Sequence, residues 1–187
     1  MGSILLLVKF NGKQRLKNMY TEEQRRKLIL FLFERMLKIL KGFKVYVATP
    51  DDFSGYYEAI KDEWGDINKV ITKARSLIKD DMLILPCDLP FVEREDIDIL
   101  LEGGIKIIPS QNGGTNALFL PVEVDIETQF GEKSFKKHLA LLEKKDLKYE
   151  VYESDKFRDI DTEEDIVWAL EHKKNSKFSR FVREELR

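Results

Sequence analysis

A single cysteine, Cys87, among 187 residues excludes an internal disulfide and with it a fold stapled by such bridges. No apolar run approaches the ~18 residues that mark a membrane span, and no signal or transit-type leader is visible at the N-terminus, so a cytoplasmic protein is expected. Thirty-two Lys and Arg against 34 Asp and Glu leave a net charge of -2, with no basic excess to attract nucleic acid or an anionic membrane. The expected partners are small molecules, with no nucleic acid and no membrane. Neither a Walker A loop nor a GxGxxG turn is present, and no Ser-His-Asp or Cys-His constellation stands out. There is no repeat, low-complexity block or linker. The length suits one core, so a single domain over 1–187 is expected, with 173–187 as a helical tail.

The most informative stretch that is present is Leu83-Ile84-Leu85-Pro86-Cys87-Asp88-Leu89-Pro90-Phe91-Val92. Met82 to Leu85 has the length of a buried strand, and the two prolines forbid a helix through them. Asp88 therefore sits just past a strand's carboxyl end, where open α/β sheets bind ligands. Taken alone, an aspartate at such a junction is more often a turn former or an N-cap than a metal ligand. Glu93 to Leu101 reads as a helix with an acidic first turn.

The remaining chain alternates between strand and helix signals. Ile4 to Phe10 reads as a first strand, and Asn11-Gly12-Lys13-Gln14-Arg15 as a basic loop after it. Lys9, Lys13 and Arg15 could converge on a phosphate, or could be a plain surface loop. Thr21 and Gln24 form a capping-box sequence opening a long amphipathic helix that ends near Gly42, and Phe43 to Ala48 follows as a second strand. Strand, helix and strand make the βαβ unit of a parallel sheet. Phe53, Tyr56, Tyr57, Ile60 and Trp64 suggest a short helix within 52–66, and Ile67 to Ile78 a further one. Ile105 to Pro109 and Ala117 to Leu120 read as strands around Ser110 to Asn116, whose Asn-Gly signals a hairpin and whose paired glycines suit an anion.

Gly131 to Phe135 opens another helix with Ser134 as its expected N-cap, and a glycine and serine at a helix start also suit an anion. His138 lies one turn inside and reads as a surface or packed histidine more readily than as a catalyst. Tyr149 to Tyr152 is a further strand. Asp159 and Asp161, two apart in extended chain, would face the same side as paired carboxylates, a natural magnesium site where phosphates complete the coordination. Thr162, with Asp165 three on, is the expected cap of the next helix. Phe178, Phe181, Val182 and Leu186 have the spacing of an amphipathic helix, to pack on its own domain or on a second copy in a homodimer.

Taken together, Lys9 with Lys13-Gln14-Arg15-Leu16, Leu85-Pro86-Cys87-Asp88-Leu89-Pro90, Gly113-Gly114-Thr115-Asn116-Ala117-Leu118, Phe130-Gly131-Glu132-Lys133-Ser134-Phe135 with His138, and Asp159 to Asp165 resemble the 2-phospho-L-lactate guanylyltransferases of coenzyme F-420 biosynthesis. Where that family commonly has Gly-Leu-Asn, this chain has Asp66-Ile67-Asn68, keeping the asparagine. The resemblance implies an α/β, Rossmann-like, mostly parallel sheet flanked by helices on both faces. It implies transfer of GMP from GTP to 2-phospho-L-lactate with release of pyrophosphate. Asp88, Asp159 and Asp161 would be the catalytic, magnesium-holding carboxylates. Lys9, Lys13, Arg15, Asn68 and Asp88 would contact the nucleotide, and Thr115, Asn116, Gly131, Ser134 and His138 the acceptor. Phosphoenolpyruvate or 3-phosphoglycerate as acceptor, and a non-catalytic nucleotide-binding module, are the competing readings.

Overall fold

The computed structural model describes residues 2–52 and 57–186. In chain order the elements are β1 (Ser3–Leu7), α1 (Glu22–Ile39), β2 (Lys44–Thr49), β3 (Glu58–Lys61), α2 (Ile67–Ile78), β4 (Met82–Pro86), α3 (Arg94–Leu100), β5 (Ile105–Pro109), β6 (Thr115–Leu120), α4 (Ser134–Lys144), β7 (Tyr149–Val151), α5 (Glu163–His172) and α6 (Lys177–Glu185). Among the described residues the strands form one sheet in the order β3-β2-β1-β4-β6-β5-β7. It is mostly parallel. Only β6 runs against its neighbours, because the turn after Pro109 returns the chain as a hairpin.

The central strands are continuous apolar runs because both faces of the sheet are covered. Ile4 and Leu6 of β1 face Ile29, Phe33 and Met36 of α1 and Ile97 and Leu100 of α3. Leu5 faces the other way, toward Val70, Ile71 and Ala74 of α2 and Leu142 of α4. The connection from β1 to β2 therefore crosses one face and that from β3 to β4 the other. The strand order reverses between β1 and β4, which opens a crevice at their carboxyl ends.

The short helix expected within 52–66 is not what forms over its second half: Glu58–Lys61 is an edge strand, with Ile60 paired to Ala48. Of the residues that suggested the helix, Phe53 and Tyr56 lie outside the described residues. The local spacing was overridden by the unpaired edge of β2, which gains a ladder of backbone hydrogen bonds and buries Ile60.

Both capping boxes read from the sequence are present, Thr21 with Gln24 and Thr162 with Asp165. The C-terminal helix packs on its own domain. Phe178 is fully buried, its ring 5.8 Å from Phe91 and 6.3 Å from Phe31. Phe91 lies three residues after Asp88, so the tail buttresses the loop that carries this carboxylate. Phe178→Ala should cost about 3–5 kcal/mol, the usual price of emptying a buried phenylalanine site. Urea unfolding measures it, and a loss below ~1 kcal/mol would mean that the tail is not part of the core.

Candidate active site

Three segments meet at the carboxyl ends of β1 and β4. The first is the basic loop, where a Cβ added to Gly12 would stand 2.9 Å from the Lys9 carbonyl oxygen. Lys13 has φ +60°, a left-handed conformation that costs a side-chain-bearing residue roughly 1–2 kcal/mol. Asp51 pins this loop, accepting the Phe10 N–H at 2.7 Å and Asn11 Nδ2 at 2.9 Å. The second segment leaves β4, and its Cys87 N–H donates to the Leu7 carbonyl at 3.0 Å. The third is the extended run 158–162, tied to the second by the Ile160 N–H, which donates to the Asp88 carbonyl at 3.1 Å.

These ties bring Lys13, Asp88 and Asp161 into one cluster. Lys13 Nζ stands 2.5 Å from Asp88 Oδ2 and 2.9 Å from Asp161 Oδ1. Burial alone would push the Lys13 ammonium down, but the two carboxylates outweigh it and hold the group above the ordinary lysine range. Arg15 Nη1 is 3.6 Å from Asp161 Oδ2, with most of its side chain in solvent. Asp159 joins through its neighbours: burial first, and then the charge of Asp88, raise its carboxyl above the usual range, while Asn116 Nδ2 donates to its Oδ1 at 2.9 Å. The same Asn116 nitrogen donates to the Phe157 carbonyl at 2.7 Å, so β6 holds the acidic run in place. Burial, and then Asp88, push the Cys87 thiol up to about 12, which leaves it an inert packing group.

The crevice beside this cluster has a volume of about 460 Å³, within the usual range for small-molecule sites. Lys9, Gly12, Lys13, Thr49, Asp88 and Asp161 contribute its polar lining. Two observations bear on a divalent cation. Asp88 lines the crevice, and its Oδ1 is buried with no hydrogen-bond partner among the described residues, so its lone pairs are left unsatisfied. Among the described residues no three His, Cys, Asp or Glu side chains are grouped so as to hold a metal ion by themselves, so any cation here would need ligand oxygens to complete its shell. An all-oxygen, partly open set suits magnesium, which keeps water and phosphate oxygens in its shell and takes one or two carboxylates.

The other predicted residues form a second, buried layer. His138 Nε2 accepts the Gln129 N–H at 2.8 Å, which puts the ring proton on Nδ1, and Nδ1 donates to Thr115 Oγ1 at 2.9 Å. Ser134 Oγ lies 3.2 Å from the same Thr115 oxygen. Ser134 is not the N-cap: that position is Lys133, with φ +55° and no side-chain cap bond, and Ser134 is the first residue of α4. Its hydroxyl turns inward to Thr115, where burial rewards a hydrogen bond more than the helix end does.

The backbone donors of these loops are also engaged. The Gly113 and Gly114 N–H groups donate to Ser110, that of Ser134 to the Gly131 carbonyl, and that of Phe135 to the Gly113 carbonyl. Gly131, at φ +128°, makes the turn into the helix. Asn68 uses both ends of its amide on 128–130, accepting from Thr128 Oγ1 and the Phe130 N–H and donating to the Phe130 carbonyl. It lies outside the lining of the crevice.

Sequence reasoning missed Asp51 as the clamp on the basic loop, although a carboxylate in a turn after a strand was visible. It also missed Arg158, whose Nη2 donates to Asp165 Oδ1 at 2.9 Å and steadies the turn carrying Asp161.

A family model described as "Guanylyl transferase CofC like" matches residues 1–186. A 2-phospho-L-lactate guanylyltransferase from Methanocaldococcus sp. (strain FS406-22) is 33% identical over 167 residues, 82% of this chain and 74% of the relative. A phosphoenolpyruvate guanylyltransferase from Roseiflexus castenholzii is 29% identical over 189 residues, 94% of this chain and 90% of the relative. Among solved structures, a protein from Desulfovibrio desulfuricans G20 described as a candidate nucleotide-diphospho-sugar transferase superposes with a TM-score of 0.80. That likeness is at 16% identity and covers 97% of this chain and 94% of the other, so it bears on the fold alone.

The buried histidine carries a pH signature. Burial, and then Lys137, lower the His138 imidazole from 6.5 to about 4. Between these values the unfolded chain binds the proton that the folded chain refuses. The stability is therefore fully present above pH ~6.5 and is lost as pH falls toward 4, by up to ~3 kcal/mol. Unfolding free energies measured from pH 7.5 to 4 should show this slope, and His138→Gln should flatten it. An equal slope in that variant would place the titration elsewhere.

Proposed function

Because the chain belongs to the CofC-like guanylyl transferase family, we propose that it transfers GMP from GTP to 2-phospho-L-lactate, as a cytoplasmic step in coenzyme F-420 biosynthesis. The observation that carries this reading is the convergence of Lys13 with Asp88 and Asp161 at the mouth of the crevice, and of Asp159 beside them. Lys13 offsets the repulsion between Asp88 and Asp161, and the further carboxylate of Asp159 beside Asp88 is a cost that a silent nucleotide-binding module would have no reason to carry.

In the proposed reaction a phosphate oxygen of the acceptor attacks the α-phosphorus of GTP, the bond from that phosphorus to the bridging oxygen breaks, and pyrophosphate leaves with the electron pair. The acceptor phosphate is already ionised near neutral pH, so no protein nucleophile or general base is required. The chain's task is to bring two polyanions together in line. Lys9, Lys13 and Arg15 screen the triphosphate, and the closely packed Gly12 allows the backbone to approach it. Asp88, Asp159 and Asp161 would hold magnesium, which when bound neutralises phosphate charge and orients the reacting oxygens. Asn116 orients Asp159.

Asn68, outside the crevice lining, would act only indirectly, through the 128–130 loop that its amide clamps. Thr115, Ser134, His138 and Gly131 shape the acceptor side by fixing the loops at 113–116 and 129–131 against each other. Phosphoenolpyruvate is the second acceptor to consider, because the Roseiflexus castenholzii relative is named for it. Both acceptors are small phosphorylated carboxylates, and the same cations would serve either.

Pyrophosphate release with GTP, ATP or CTP against 2-phospho-L-lactate, phosphoenolpyruvate and 3-phosphoglycerate tests the reading. GTP with phospholactate should turn over fastest, and absence of release with every pair would refute it. Asp161→Asn is the cleanest site variant, because Asp161 is 38% exposed and its loss leaves Lys13 paired with Asp88. It should lower kcat by roughly a hundred-fold or more with little change in unfolding midpoint. Wild-type turnover would remove Asp161 from the machinery. Asn116→Ala should raise the magnesium concentration for half-maximal rate by about 10–100-fold, the range for residues that orient a metal ligand. A change in KM for GTP alone would assign Asn116 to the nucleotide.

A further inference from the structure

A second cavity, of about 550 Å³, lies between α1, the Pro90–Phe91 turn and the junction of α5 with α6, and shares no lining residue with the crevice. Five cations line it, Arg35, Lys38, Lys156, Lys173 and Lys177, against the two carboxylates Glu34 and Glu93. Lys156 is paired with Asp96, and Arg35 Nη2 with Glu93 and the Val92 carbonyl. Among the described residues no carboxylate forms an ion pair with Lys38, Lys173 or Lys177.

Arg35 Nη1 is buried with no hydrogen-bond partner among the described residues. A charged donor left in that state is costly, and such groups are ordinarily satisfied. The floor is apolar: Phe31, Pro90 and Phe91 contribute to it, and Lys173 Nζ lies 5.9 Å from the Phe91 ring centroid. Unpaired cations above an aromatic floor match an anion joined to a ring or other flat apolar group.

We propose that this cavity binds a small phosphate monoester carrying a ring or comparable apolar part, at a site separate from the guanylyl transfer crevice. Its lining touches both segments that hold the catalytic carboxylates. Phe91 is three residues past Asp88, and Lys156 is three before Asp159 and adjacent to Phe157, whose carbonyl anchors the Asn116 amide. Occupancy would tighten both segments, and so would be felt in the crevice.

Phenyl phosphate is a suitable probe, because the chain has two tryptophans and one of them, Trp168, lies 5.9 Å from Phe91 and 5.8 Å from Lys173 Nζ. In Trp64→Phe the remaining indole reports this cavity. Titration should give a saturable, one-site fluorescence change that persists in Lys9→Ala, which alters only the lining of the crevice, and is weaker with inorganic phosphate. Adding Lys173→Glu and Lys177→Glu should weaken it at least roughly ten-fold, as expected for loss of charge-assisted contacts. No saturable change, equal affinity in the doubly charge-reversed chain, or loss of the change in Lys9→Ala would overturn the proposal. Equal affinity for inorganic phosphate would overturn the ring-bearing part of it.

Discussion

The bridge from Lys13 Nζ to Asp88 and Asp161 is the contact on which the rest of the site depends. It joins positions 75 and 148 residues apart in sequence. Each of the three side chains would be unfavourable in that place alone. A buried ammonium without carboxylates, or carboxylates this close without a cation, would lose several kcal/mol to desolvation or repulsion. Their mutual neutralisation fastens Lys13, at φ +60°, to the Asp88 and Asp161 segments beside the crevice. Under the proposed function the same electrostatics would favour exchange of ligands, since a divalent cation with its triphosphate would supply positive charge to the carboxylates and negative charge to the lysine.

Beneath the bridge, the fold supplies rigidity in two ways. The carbonyl of Asp88 is held by the Ile160 N–H, so the second and third site segments move as one. The antiparallel strand β6 contributes Asn116 to the acidic run at one end and Thr115 to the buried His138 and Ser134 at the same end. A residue pair at the start of one strand thus couples the carboxylates to the loops at 113–116 and 129–131. The glycines of these loops serve turns and close contacts, and the Gly113 and Gly114 amides are already bonded to Ser110.

Much of this was legible in the sequence because the signals were local. The strand before Asp88 is a short apolar run stopped by proline, and the boxes at Thr21 and Thr162 are complete within four residues. The hairpin at Asn112-Gly113 was readable for the same reason. The failures have a common cause in long-range pairing. Glu58–Lys61 became a strand because β2 offered it an edge, and Ser134 gave up the cap position because Thr115 lay 19 residues upstream within reach of its hydroxyl. Asn116 was recognisable as a site residue, but its partner Asp159 lies 43 residues downstream, and no spacing rule connects them.

The central claim is that the crevice at the ends of β1 and β4 holds a nucleoside triphosphate and its metal. A crystal structure with a non-hydrolysable GTP analogue and manganese, located by anomalous scattering, tests it directly. The account predicts a manganese peak at roughly 2.1–2.2 Å, close to octahedral magnesium distances, from oxygens of Asp88 and its partner carboxylates, with the triphosphate against Lys9 and Lys13. A metal bound away from these carboxylates, or a nucleotide seated outside the crevice, would contradict it.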